Sequence, residues 1–140
     1  MLDEQISPLG LAAMDRARVA LGERVLDVGC GCGQTSLQLA ERVGASGSVT
    51  GIDISAPMLA RARERAAQLG ARNLRFLEAD VQEAKLGEAA FSLVFSRFGV
   101  MFFADPKTAF ANLRRSLAPG GRVGFVCWQE LARNPWMGIP

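Results

Sequence analysis

The sequence predicts an α/β fold, a doubly wound and mostly parallel sheet of about five strands in the order 3-2-1-4-5. Three observations lead there. Short apolar runs alternate with helix-period segments five times along the chain. The first run, Val25-Leu26-Asp27-Val28, passes straight into Gly29-Cys30-Gly31-Cys32-Gly33 and then a helix. The second run ends on an acid, Asp53. Parallel strands joined by helices close only through right-handed crossovers, which leaves few topologies.

The elements follow in order. Pro8 to Leu21 carries Leu9, Ala12, Ala13, Val19 and Ala20 at helical spacing, with Ser7-Pro8 as the start and Gly22 as the stop. Arg24 to Val28 is the first strand, nearly all apolar, as a strand covered on both faces must be. Thr35 to Val43 is a helix with Leu37, Leu39, Ala40 and Val43 inward, and Gly44-Ala45-Ser46-Gly47 turns the chain. Ser48 to Asp53 is the second strand. Ser55 caps the next helix, Pro57 sits in its first turn, and Gly70 closes it. Met58, Leu59, Ala62, Ala66 and Leu69 form its inward stripe, so Arg61, Arg63 and Arg65 read as a solvated face. Asn73 to Leu77 is the third strand, with a short turn or helix over Val81 to Leu86. Phe91 to Ser96 is the fourth. Asp105-Pro106 opens a helix with the stripe Ala109, Phe110, Leu113 and Leu117, Pro119-Gly120-Gly121 stops it, and Arg122 to Cys127 is the fifth strand. We divide the chain into an N-terminal helix (1–22), a core (23–130) and an irregular tail (131–140).

Composition narrows the function. The chain has 140 residues, 49% hydrophobic and 21% charged, which fits one globular domain. A net charge of +2 gives no electrostatic footprint for nucleic acid. No apolar run is long enough to span a bilayer, and the acidic N-terminus lacks a signal-peptide core, so a cytoplasmic location is expected. Cys30, Cys32 and Cys127 make an odd number. With no histidine to complete a ligand set, no metal site is expected, and the paired thiols read as small residues filling a tight turn. Without histidine or tyrosine, proton transfer falls to Asp, Glu, Cys, Lys or water.

In an open parallel sheet, ligands gather beyond the carboxyl ends of the strands. The glycine loop lies there, and a backbone without Cβ atoms admits a ligand closely. Asp53, twenty positions beyond Gly33, can accept hydrogen bonds from both hydroxyls of a ribose. Asp80, after the third strand, can accept from an adenine amino group. Each acid alone also fits a turn or capping role. A dinucleotide loop places a glycine three positions past its second one, but that position is Gln34 here. A nicotinamide-dependent oxidoreductase is thereby disfavoured.

These segments resemble a known family. Val25–Gly33 is similar to the first motif of class I S-adenosylmethionine (SAM)-dependent methyltransferases, Gly51-Ile52-Asp53-Ile54-Ser55 to their ribose-binding strand end, and Glu78-Ala79-Asp80-Val81 to their adenine-binding segment. Phe91–Ser96 resembles the fourth strand, with Ser92 where Asp is usual, and Leu113–Gly121 the helix and turn before the fifth. The match is closest to the small-molecule branch, similar to the ubiquinone and menaquinone pathway enzymes. The resemblance implies SAM as cofactor and a small-molecule methyl acceptor. Gly29, Gly31 and Gly33 would form the loop against its methionine portion, and Asp27 would hold the loop and reach the ammonium. Asp53 would bind ribose, Ile54 and Met58 would pack on adenine, Asp80 would take its amino group, and Val81 would offer an amide. Ser96 would lend its carbonyl to the ammonium, and Arg97 and Phe98 would border the acceptor. No catalytic residue is nominated. The family's sheet usually adds strands six and seven, so a chain ending just after strand five is expected to be truncated. Its apolar edge, Arg122 to Trp128, is expected to pair with another copy, by dimerisation or strand exchange. A SAM-binding or structural module without catalysis of its own is the alternative.

Overall fold

The computed structural model describes residues 2–129 and residue 133; the tail expected to be irregular lies almost wholly outside the described residues. The strands are β1 (Arg24–Val28), β2 (Ser48–Asp53), β3 (Leu74–Glu78), β4 (Phe91–Arg97) and β5 (Leu117–Val126). They form one sheet in the order β3-β2-β1-β4-β5, every pair parallel. The helices are α1 (Leu2–Arg16), α2 (Gln34–Val43), α3 (Ala56–Gln68) and α4 (Pro106–Ser116), with a 3-10 turn over Gly99–Phe102.

Alternating side chains of the central strands feed two cores. Val25, Val49, Leu93 and Phe95 pack with Met14 of α1 and with Leu39 and Val43 of α2. Leu26, Val28, Ile52 and Val94 pack with Ala109 and Leu113 of α4. Each fully buried Leu, Val or Phe contributes about 1.5–3 kcal/mol, so the middle strands hold the sheet. β3, at one margin, is half-buried to exposed along its length.

Four elements, α1, α3, α4 and β5, depart locally from expectation. Helix α1 runs through Pro8 and stops at Arg16 rather than Leu21. Ser7 does not cap it, because it lies inside the helix, where its hydroxyl accepts from Gln38 Nε2 of α2 at 2.9 Å. The real stop is a Schellman turn: Val19 N donates to Met14 O, Arg18 N donates to Asp15 O, and Arg18 takes φ 55°. The usual glycine is missing, so nothing in the sequence marked it.

In α3, Leu59, Ala62 and Ala66 are buried, whereas Met58 and Leu69 are exposed. Nor are all its arginines merely solvated. Arg63 donates to Phe76 O at 3.3 Å, and Arg65 reaches Cys32 O in the glycine loop at 3.0 Å. In α4, Asn112 is buried while Phe110 lies 39% exposed, and Leu117 already belongs to β5. Asn112 Nδ2 donates to Val81 O at 2.6 Å and Ala84 O at 2.8 Å, tying the loop after β3 to α4. Strand β5 starts at Leu117, opposite Phe91, and resumes pairing at Arg122, opposite Leu93. Pro119-Gly120-Gly121 therefore forms an irregularity inside the strand and not a stop before it.

Candidate functional site

A cleft of about 680 Å³ opens at the carboxyl ends of the strands. It falls within the range of small-molecule sites. Its walls include the glycine loop from Gly29 to Cys32, Asp53, Ile54 and Met58 after β2, Ala79 to Gln82 after β3, Arg97 to Gly99 after β4, and Trp128 after β5. Ile6 of α1 also reaches it.

The loop after β1 is held by its neighbours. Gly29 N and Cys30 N both donate to Ile52 O, at 2.8 and 3.1 Å, so β2 fixes where the loop leaves the sheet. Gly29 has φ 70°, and a Cβ there would lie 2.7 Å from Gly99 Cα. Only glycine allows both that conformation and that approach of two backbones. Gly33 has φ 88°, and its Cβ would meet Ala62 Cβ at 2.9 Å. It serves the packing of the loop on α3, and it is not among the residues lining the cleft.

The acids differ in position. Asp53 is half-buried at the rim. Its Oδ2 accepts from Gly31 N and its Oδ1 from Ser55 N, each at 2.9 Å. A carboxylate offers about four lone-pair sites, so about two remain for a ligand. Ile54, 75% exposed, and Met58, 43% exposed, flank it as apolar surface on the cleft wall. Asp80 is exposed, and its carboxylate accepts from the backbone and side-chain amides of Gln82. Val81 is buried beside it.

Asp27 sits behind the wall, 1% exposed, and does not line the cleft. Its Oδ2 accepts from Ser36 Oγ at 2.6 Å, joining β1 to the first turn of α2. Burial pushes its carboxyl up to about 7, against the pull of the Ser36 hydroxyl and the charge of Arg97, while Asp53 adds to the rise.

On the β4 side, Ser96 is fully buried and also lies behind the wall. Its hydroxyl donates to Val28 O at 2.8 Å and accepts from Gly99 N at 2.9 Å. That clasp binds the turn after β4 to the end of β1. Arg97 lines the cleft, and its Nη1 donates to Gln34 Oε1 at 2.7 Å. Phe98 takes φ 68°, a conformation that costs a bulky residue about 1–2 kcal/mol. Its N–H donates to Val126 O, and its ring stacks on Trp128 with centroids 4.4 Å apart.

Sequence reasoning had not assigned Ile6, Gln34, Gln82, Phe102, Phe103 or Trp128 to this cleft. Ring-rich residues beyond strand ends are a weak signal, because the same pattern describes a core. Cys30 and Cys32 also line the cleft, and the Cys30 thiol is pushed far up by burial and stays protonated. Among the described residues no cluster of ligands fit for a metal ion occurs, and no helix is long and apolar enough to cross a membrane.

Comparison with known proteins identifies the family and the fold. The chain is 37% identical over 123 residues to the aklanonic acid methyltransferase DauC of Streptomyces sp. (strain C5), covering 88% of this chain and 56% of that protein. It is 41% identical over 111 residues to the demethylmenaquinone methyltransferase of Thermus thermophilus, covering 79% and 50%. The chain thus spans about half the length of these curated relatives. Among solved structures, a SAM-dependent methyltransferase from Aquifex aeolicus superposes with a TM-score of 0.81 at 25% identity, covering 86% of this chain and 64% of that one. The phosphoethanolamine N-methyltransferase 2 of Haemonchus contortus, solved with S-adenosyl-L-methionine, gives 0.80 at 27% identity, covering 94% and 32%. The sequence profile of the methyltransferase domain matches residues 25–121. The chain belongs to the methyltransferase domain family.

Proposed function

We propose that the cleft binds SAM and that the protein transfers the cofactor's methyl group to a small-molecule acceptor. The observation that carries this reading is the surroundings of Asp53. A carboxylate with unused lone pairs stands between the glycine loop and two exposed apolar side chains, Ile54 and Met58, on one cleft wall. That combination suits a ribose with a flat base beside it. In this reading Gly29 and Gly31 lie against the methionine portion, Asp80 and the Val81 amide address the base, and Arg97 and Phe98 border the acceptor. Asp27, Gly33 and Ser96 act from behind, keeping the loop and the turn after β4 in place.

When bound, SAM supplies a methyl group on a positively charged sulfur, already primed for displacement. The residues need only position the reactants and exclude water. A chain without histidine or tyrosine suits such chemistry. The acceptor as a small molecule is supported by the relatives named for aklanonic acid and demethylmenaquinone.

Calorimetry with SAM and with NAD tests the reading. SAM should bind and NAD should not. Asp53→Ala should weaken SAM by ~1–3 kcal/mol, the loss of charge-assisted hydrogen bonds. Tight NAD binding, or an Asp53→Ala variant that holds SAM unchanged, overturns it. Release of S-adenosylhomocysteine with acceptor present separates an enzyme from a binding module.

Two finer readings accompany this one. The free thiols Cys30, Cys32 and Cys127 support a reducing, cytoplasmic setting. β5 has a strand partner on one side only among the described residues, and Val123 is 53% exposed, which supports pairing of two copies along that edge. A monomer by sedimentation velocity overturns the pairing.

A further inference from the structure

We propose that Gln82 is a positioning residue that aims the Asp80 carboxylate at the base and so makes the cleft select adenine over hypoxanthine. The inference rests on SAM occupying the cleft with its base beside Asp80, and it names what fixes that contact.

Asp80 is exposed, and a carboxylate in water moves readily among its rotamers. One restraint comes from its own turn, where Gln82 N donates to Asp80 Oδ1 at 2.9 Å. That bond is a local Asx turn, common wherever an Asp opens a loop. The second restraint is of another kind. The Gln82 side chain folds back, and its Nε2 donates to Asp80 Oδ2 at 3.2 Å. Each carboxylate oxygen then has its own donor, which sets the plane of the group as well as its direction.

Gln82 is in turn held from a different element. Its Oε1 accepts from Asp105 N. Asp105 is the N-cap of α4, and its carboxylate accepts from Thr108 N and Thr108 Oγ1 at 3.2 and 2.6 Å. These two partners allow the Gln82 amide one orientation. Turned over, it would set Nε2 against an N–H and Oε1 against a carboxylate. The start of α4 thus reaches Asp80 through one side chain, and both Asp80 and Gln82 line the cleft.

The selectivity follows from the lone pairs. A carboxylate offers about four acceptor sites, and the two bonds from Gln82 leave about two. These accept from the exocyclic amino group of adenine. The exocyclic oxygen of hypoxanthine sets acceptor against acceptor, and a site built for a donor rejects the analogue that lacks it. A carboxylate free to swing discriminates less, because it can turn away from the wrong group.

The test uses the full chain and calorimetry with S-adenosylhomocysteine and S-inosylhomocysteine. The native protein should prefer the adenine compound by at least about tenfold. Gln82→Met keeps the length and removes both hydrogen-bonding groups. Gln82→Glu keeps an acceptor for Asp105 N and sets a second carboxylate against Asp80. Each should cut the preference at least about threefold, mainly by weakening S-adenosylhomocysteine, and the Glu variant should cut it more. Either variant suffices if the other does not fold. Asp105→Ala is the structural control: it retains the backbone N–H that Gln82 uses but loses the cap, so it should lower the urea midpoint and leave the preference within about twofold. Three results overturn the role of Gln82 while leaving the cofactor reading intact. They are a native protein that binds S-adenosylhomocysteine without preference, Gln82 variants that keep the native preference, and an Asp105→Ala variant that loses as much preference as Gln82→Met. A native protein that does not bind S-adenosylhomocysteine overturns the cofactor reading, and this inference with it.

Discussion

On the β1–β2 side the cleft wall is glycine backbone, the Asp53 carboxylate and the apolar chains of Ile54 and Met58; on the β4–β5 side it is mainly rings, with Arg97 among them. The first side is fastened by hydrogen bonds that cross between neighbouring elements: Gly29 and Cys30 to Ile52, Gly31 to Asp53, Ser36 to Asp27. The second is fastened at its root by the Ser96 clasp, and then reaches outward through a strained Phe98 to rings that are partly uncovered. The difference teaches how one sheet end serves two recognitions. Directional bonds fix a partner with many polar atoms, whereas ring surfaces select by apolar contact.

The seam between the two sides is where the comparison breaks most easily. Gly29 and Gly99 touch backbone to backbone. Gly29→Ala adds a Cβ into that contact and strains φ 70°, so it should lower stability by ~3 kcal/mol or more and disable both halves together. Urea unfolding and SAM calorimetry measure this. Loss of binding with unchanged stability would instead confine the damage to the loop.

The next effect belongs to the polar side. Asp27 has its carboxyl raised from 3.8 to about 7 in the fold. A raised acid means that the native state holds the proton more tightly than the unfolded one. Its stability is therefore fully present below the unfolded value and is lost as pH rises through about 7. The span is on the order of a few kcal/mol, at about 1.4 per unit. Urea midpoints between about pH 4 and pH 8 should fall for the native protein, and Asp27→Asn should flatten that slope. An unchanged slope in the variant would assign it to other groups.

Asn112 anchors the loop that carries Asp80. Asn112→Ala leaves the carbonyls of Val81 and Ala84 without their amide donor and should cost ~1–3 kcal/mol of stability. Amide exchange over 81–84 should quicken along with it. The smallest effect lies at the outer ring. Phe102→Ala should change stability by less than about 0.5 kcal/mol, since the side chain is 81% exposed. A larger loss would mean that the ring supports the fold.

Legibility in the sequence follows the same division. β1 and β2 have the limits their apolar runs and turn residues imply, and the order of all five strands matches expectation. Glycine turns, the Ser55 and Asp105 caps, and strand-end acids are local signals, each set by a few neighbouring residues. The stop of α1 was not legible, because Arg18 takes the place a glycine usually fills. The inward stripe of α3 misled at Met58 and Leu69, because helical spacing names a face and not what covers it. Arg65 looked solvated until the fold brought Cys32 O within 3.0 Å.

What the chain determines by itself is the alternation of strand and helix, the glycine loop after β1 and the acid after β2, since backbone sterics, capping and hydrophobic period act over a few residues. What only the tertiary structure decides is which of these groups face the cleft. Asp27 and Ser96 lie behind its wall, and Ile6, Phe102 and Trp128 join it from the N-terminal helix, the 3-10 turn and the end of β5. Those choices depend on packing between elements far apart in the chain, where the burial of one side chain is settled by neighbours that no local pattern names.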